Sequence, residues 1–193
     1  YNPQLFSLKY NGWLSMVHYP SLSMWNRHGK RLTIATEFRE ALLALWHSVR
    51  EGWEMTGGSK LEMSCPLWFV VEALQRRHDL GKGSLFVIDC FHASATIEGA
   101  TFKARHGLLN GLGLETHDWV SRPGNNRCYL IDQFFATDEE LTHIWDAIPD
   151  INDEWGCEFY EGFVATAAES RYTLMHSPDR KVSHIVKYRR HEQ

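Results

Sequence analysis

The chain has 193 residues, 44% hydrophobic and 23% charged, which is ordinary globular usage and excludes a disordered or collagen-like polymer. That length suits one large domain or two small ones, since domains commonly run about 100–200 residues. A net charge of −4, from 20 Lys and Arg against 24 Asp and Glu, excludes bulk-charge coating of nucleic acid, so any such contact needs a local basic patch.

Gln4–Lys9 alternates and reads as a strand, followed by strands at Trp13–His18 and Ser21–Asn26. Arg27-His28-Gly29-Lys30 reads as a tight turn into a further strand at Arg31–Ile34. The period then becomes helical: Phe38, Leu42, Leu45, Trp46 and Val49 follow Thr36, a candidate N-cap. Gly57-Gly58 breaks the chain before a short strand at Lys60–Ser64, and Pro66 is placed to open a helix through about Gln75. Ser84–Phe91 is a compact apolar run suited to a buried strand, Phe102–Asn110 a helix, and Cys128–Phe134 a strand. Thr137-Asp138-Glu139-Glu140 is a capping box ahead of one helical face, Leu141, Ile144, Trp145 and Ile148. Strands return at Phe159–Ala165, Tyr172–His176 and His184–Arg189. The pattern predicts a single α+β domain over residues 1–193, with antiparallel-rich sheets and helices packed on them.

The apolar runs Leu67–Leu74 and Leu85–Phe91 are far shorter than the roughly 20 residues a bilayer span requires, and no signal-peptide pattern opens the chain. The expectation is a soluble, monomeric, intracellular protein with no membrane partner. Four scattered cysteines form no CxxC pair, and the 11 histidines show no HExxH spacing, so reduced thiols are expected and a zinc site is not. Lys187-Tyr188-Arg189-Arg190 supplies a local basic patch. Lys9-Tyr10-Asn11-Gly12 lies between two strands, and its lysine reads either as a surface residue before a turn or as a positioned nucleophile.

The order of several short segments resembles the covalent nucleotidyltransferases: ATP-dependent DNA ligases, RNA ligases and mRNA capping enzymes. Lys9-Tyr10-Asn11-Gly12 resembles their KxDG motif, and Asn26-Arg27-His28-Gly29-Lys30 resembles the SRxGK-like segment of DNA ligases. Lys60-Leu61-Glu62 is aligned with the DGE strand, and Leu85–Phe91 with the strand in which Phe-Asp stands between hydrophobic residues. Arg105 and a Leu-rich helix follow, then Glu161-Gly162-Phe163-Val164, similar to EGhV, and Lys187-Tyr188-Arg189, similar to KxK. Tyr172 and Arg180 fall between those last two segments.

The resemblance implies an ATP-grasp-like adenylation domain, with the ligases' C-terminal OB-fold absent from this chain. It implies that Lys9 attacks the α-phosphate of ATP and that Lys187 and Arg189 neutralise the charge that builds there. Leu8, Glu62 and Ile88 would complete the nucleotide site, Glu62 and Glu161 would hold Mg²⁺, and Arg27 would grip the terminal phosphate of a nick in duplex DNA. Asp89, Arg105 and Arg180 read first as salt-bridging residues. Viral or phage origin is among the sources such a domain implies, and RNA is the other polynucleotide substrate. The sequence departs from the pattern at Asn11 for the motif Asp, Leu14 for an Arg, Ile88 for an aromatic, Thr166 for a lysine and Arg189 for the second lysine of the closing strand. Two alternatives stay open: an RNA ligase or GTP-using guanylyltransferase, and a catalytically degenerate member that only binds nucleotide or nucleic acid.

Overall fold

Two sheets meeting at a cleft organise the computed structural model, which describes residues 3–55, 67–74, 78–92, 100–171 and 185–190. The strands are β1 (Gln4–Tyr10), β2 (Trp13–Tyr19), β3 (Ser23–Asn26), β4 (Leu67–Leu74), β5 (Ser84–His92), β6 (Glu115–His117), β7 (Cys128–Ile131), β8 (Tyr160–Ala167) and β9 (Ile185–Arg189). The helices are α1 (Arg39–Met55), α2 (Phe102–Asn110) and α3 (Asp138–Trp155), with a 3-10 helix at Thr33–Phe38 leading into α1. The smaller sheet has the order β1-β8-β9, antiparallel throughout. The larger runs β3-β2-β4-β5-β7-β6 and is antiparallel except where β7 lies parallel to β5 and β6. The α+β class and the antiparallel-rich sheets are as the sequence predicts.

Strand periodicity assigns each face of the large sheet its own core. Val17, Phe69, Val71, Leu85, Val87 and Leu130 pack against Phe38 and against Leu42, Leu45 and Val49 of α1. On the opposite face, Leu74, Phe86, Tyr129 and Ile131 meet Leu8, Tyr10 and Phe163 of the small sheet and Ile144, Ile148 and Trp155 of α3. Full burial of side chains of this size contributes about 1.5–3 kcal/mol each, so this second core clamps the two sheets together. The capping box forms: the Thr137 hydroxyl accepts from Glu140 N, and the Glu140 carboxylate accepts from Thr137 N at 2.7 Å.

Three expectations need correction. The segment from Leu67 to Leu74 is strand β4, not a helix behind Pro66: Leu67, Phe69, Val71 and Ala73 are buried while the residues between them are half-buried, a period of two. Both faces of β4 are largely apolar, which hides the alternation from the sequence. Arg31–Ile34 is not a strand either: Arg31 makes a single bridge to Trp25 before the 3-10 helix begins. Thr36 lies inside that 3-10 helix rather than capping α1. The short strand β6 is an element the sequence reading omits. The expected strands at Lys60–Ser64 and Tyr172–His176 lie outside the described residues, as do Glu62, Tyr172 and Arg180.

Candidate active site

Period two sets the cleft face of the small sheet. In β1, Leu8 and Tyr10 point into the second core, so Ser7 and Lys9 point the other way, into the cleft. Val164 of β8 pairs with Lys187 of β9, and Gly162 pairs with both Lys9 and Arg189, which puts those side chains on the same face. Glu161 ought to face away from it. A β-bulge changes this: Lys9 pairs with Gly162 but Tyr10 with Tyr160, leaving Glu161 as the extra residue that turns toward Lys9. The large sheet does the same on its side. Val70 pairs with Asp89 but Val71 with Val87, so Ile88 is the unpaired residue and joins Asp89 at the cleft.

The cleft has a volume of about 380 Å³, within the range of small-molecule sites, and its walls carry five cationic side chains against three carboxylates. This local excess of positive charge, in a chain of net charge −4, suits an anionic ligand. Lys9 Nζ forms an ion pair with Glu161 Oε2, and both side chains are more than four-fifths buried. Arg189 Nε stands 3.8 Å from the same carboxylate oxygen. Burial, and then the neighbouring charges of Lys9 and Arg189, push the Lys187 ammonium below the usual lysine range.

Glycines let the backbones approach here. A Cβ at Gly12 would sit 2.6 Å from Leu74 Cδ2 and 2.9 Å from Ala73 O, and Gly12 N instead donates to Glu72 Oε1 at 3.1 Å. Gly162, at φ +136°, leaves no room for a Cβ, which would fall 2.1 Å from Tyr188 O. Gly12 and Gly162 thus bring the β1–β2 turn against β4 and β8 against β9.

Of the residues expected at the site, Lys9, Ile88, Glu161, Lys187, Arg189 and Arg27 all line this cleft. Leu8 touches its wall, but its side chain belongs to the core. Arg27 is exposed in a turn that Asn26 closes, its Oδ1 accepting from His28 N and Lys30 N. Asp89 is structural: its carboxylate holds Arg105 through two bonds, at 2.9 and 3.0 Å, and joins β5 to α2. Asn11, in place of the motif Asp, is buried and donates to Glu158 O at 2.9 Å, which ties the end of β1 to the turn before β8. Leu14 is exposed at the cleft rim.

Glu72 is the residue the sequence reading missed. It stands in β4 opposite Leu14, and burial pushes its carboxyl up to about 7, although the Lys9 charge pulls the other way. Its signal in the sequence is an acid within the apolar run Leu67–Leu74, which reads as a helix behind Pro66. Among the described residues, no group of three or more His, Cys, Asp or Glu side chains could by itself hold a metal ion.

The fold is similar to that of solved DNA ligase domains. The ligase domain of LigD from M. tuberculosis superposes with a TM-score of 0.57 at 15% identity, over 97% of this chain and 53% of that one. A mycobacterial DNA ligase D complexed with ATP and MES gives 0.54 at 14%, over 97% and 54%. A structure designated Pmar-Lig_Pre gives 0.59 at 12%, over 98% and 42%. No protein-family model matches the chain, and no curated protein matches it in sequence. The fold is that of a ligase-type nucleotidyltransferase domain. Within that class it is the fold of the adenylation domain of DNA ligases, and the chain spans about half the length of the solved chains it matches.

Proposed function

We propose that the chain is the adenylation domain of an ATP-dependent polynucleotide ligase, acting at a 5′-phosphorylated nick in duplex DNA. The observation that carries this reading is the buried Lys9–Glu161 pair in a cationic cleft beside Lys187 and Arg189. Lys9 Nζ, once its proton has passed to Glu161, attacks the α-phosphorus of ATP. A P–N bond forms, the bond to the bridging oxygen breaks, and its electron pair leaves with pyrophosphate. Lys187 and Arg189 offset the charge that develops on the phosphoryl oxygens. Ile88 and Val164 pack on the adenine, Glu72 takes the ribose hydroxyls in the nucleotide site where the resemblance puts Glu62, and Arg27 holds the nick phosphate.

Mg²⁺ is commonly bound by one or two carboxylates together with phosphate oxygens, a set that Glu161 and Glu72 fit, and when bound it polarises the triphosphate. The transfer of AMP from Lys9 to the nick is the second step of the same reading. The reading is tested by incubation with α-labelled ATP or GTP. Wild type should take acid-stable label from ATP, and Lys9→Ala should take none while keeping its unfolding transition. Label persisting on the variant removes Lys9 from its role. ATP binding without any label identifies a degenerate, binding-only member.

A further inference from the structure

The cleft contains an acceptor that no step above uses. Gln133 follows β7 and lines the cleft, and its Nε2 donates to the carbonyl of Ile88 at 3.1 Å. That bond fixes the amide orientation, because the reversed amide would set oxygen against oxygen. The other end of the amide, Oε1, is buried and accepts no hydrogen bond among the described residues. Its place follows from the backbone. Phe6 and Phe134 form an antiparallel bridge, with Phe6 N to Phe134 O at 2.8 Å and Phe134 N to Phe6 O at 3.0 Å. Gln133 therefore lies opposite Ser7, two residues before the Lys9 nucleophile, or about 7 Å along the strand at about 3.3 Å per residue. It also lies against Ile88, on which the base packs.

We infer that Gln133 Oε1 accepts a hydrogen bond from the 6-amino group of adenine and makes Gln133 the residue that selects ATP over GTP. The inference rests on the adenylation reading above. Adenine presents a donor at position 6, whereas guanine presents a carbonyl, a second acceptor facing one whose orientation is already fixed. Ser170 Oγ is also buried and unpartnered among the described residues, but a hydroxyl can donate or accept and so does not tell the two bases apart. Guanine sets a second acceptor against this committed one and is rejected more strongly than a base that merely lacks the donor, by at least about 100-fold.

Purine riboside triphosphate, which lacks only the 6-amino group, isolates this contact in the wild-type protein. Initial rates of labelling of Lys9 with ATP, GTP and this analogue should show the analogue losing about tenfold in kcat/KM against ATP, the worth of one hydrogen bond, with GTP lower still. Gln133→Leu should bring ATP and the analogue to within about threefold of each other, chiefly by slowing ATP. Equal rates with ATP and the analogue on wild type, or an undiminished preference in Gln133→Leu, overturn the assignment while leaving Lys9 as the nucleophile. Absence of label from all three triphosphates overturns the adenylation reading, and this inference with it.

Discussion

Glu72 shows how one buried carboxyl ties the chemistry of the cleft to the stability of the fold. Burial, the largest cause, pushes its carboxyl up to about 7 from an ordinary 4.5. A folded-state value raised in this way means that stability is fully present below the unfolded value and is lost as the pH rises through the folded one. Between pH 4.5 and 7 the protein should therefore lose about 2–3 kcal/mol through this group, allowing for residual solvent screening. Glu72→Gln keeps an oxygen to accept from Gly12 N but cannot ionise. Thermal unfolding should find the variant as stable as wild type at pH 4 and more stable at pH 8, while its labelling by ATP falls about tenfold from a lost ribose hydrogen bond. Equal melting temperatures at both pH values would show that the carboxylate is well solvated where it lies.

At the scale of elements, strand β8 arranges the site through two features, the bulge at Glu161 and the left-handed backbone of Gly162. Gly162→Ala introduces a Cβ against Tyr188 O at a φ of +136°, which together should cost about 3 kcal/mol or more and unpair β9 locally. Chemical denaturation should report that loss, and labelling by ATP should fall more than tenfold as Lys187 leaves the cleft. An unchanged labelling rate would mean that Lys187 does not depend on this pairing. Much of this was legible in advance. The capping box of α3, the extent of α2, the alternation of β1 and the β-forming residues of β2 are local patterns, and each element forms where the residues predict it. Lys9, Glu161 and Lys187 could be named because short motifs surround them. The bulges could not be read, since an extra residue in a strand depends on its partner's register and not on its own sequence. Strand β4 reads as a helix because both its faces are apolar, and this hides Glu72, whose neighbours Val71 and Ala73 do not spell DGE.

Across the whole molecule, charge is segregated: the chain carries −4, yet the cleft between its sheets is lined by five cationic groups and three carboxylates. The second core holds that cleft in shape by fastening β1 and β8 to β5 and β7, with the Tyr10 ring tilted against Phe86 at 4.4 Å between centroids and its hydroxyl bonded to His117 at 3.0 Å. Lys9 therefore stands on a strand fixed at both ends, by Asn11 to the turn before β8 and by Phe6 to Phe134. On the proposed reading, a lysine mounted so rigidly suits a reaction in which orientation supplies much of the rate. The most direct measurement is the mass of the intact protein after incubation with ATP and Mg²⁺, followed by peptide mapping. The account predicts a single adenylyl increment on the peptide that contains Lys9, removed again by added pyrophosphate. An unmodified mass, or an adenylyl group on any other residue, would contradict it.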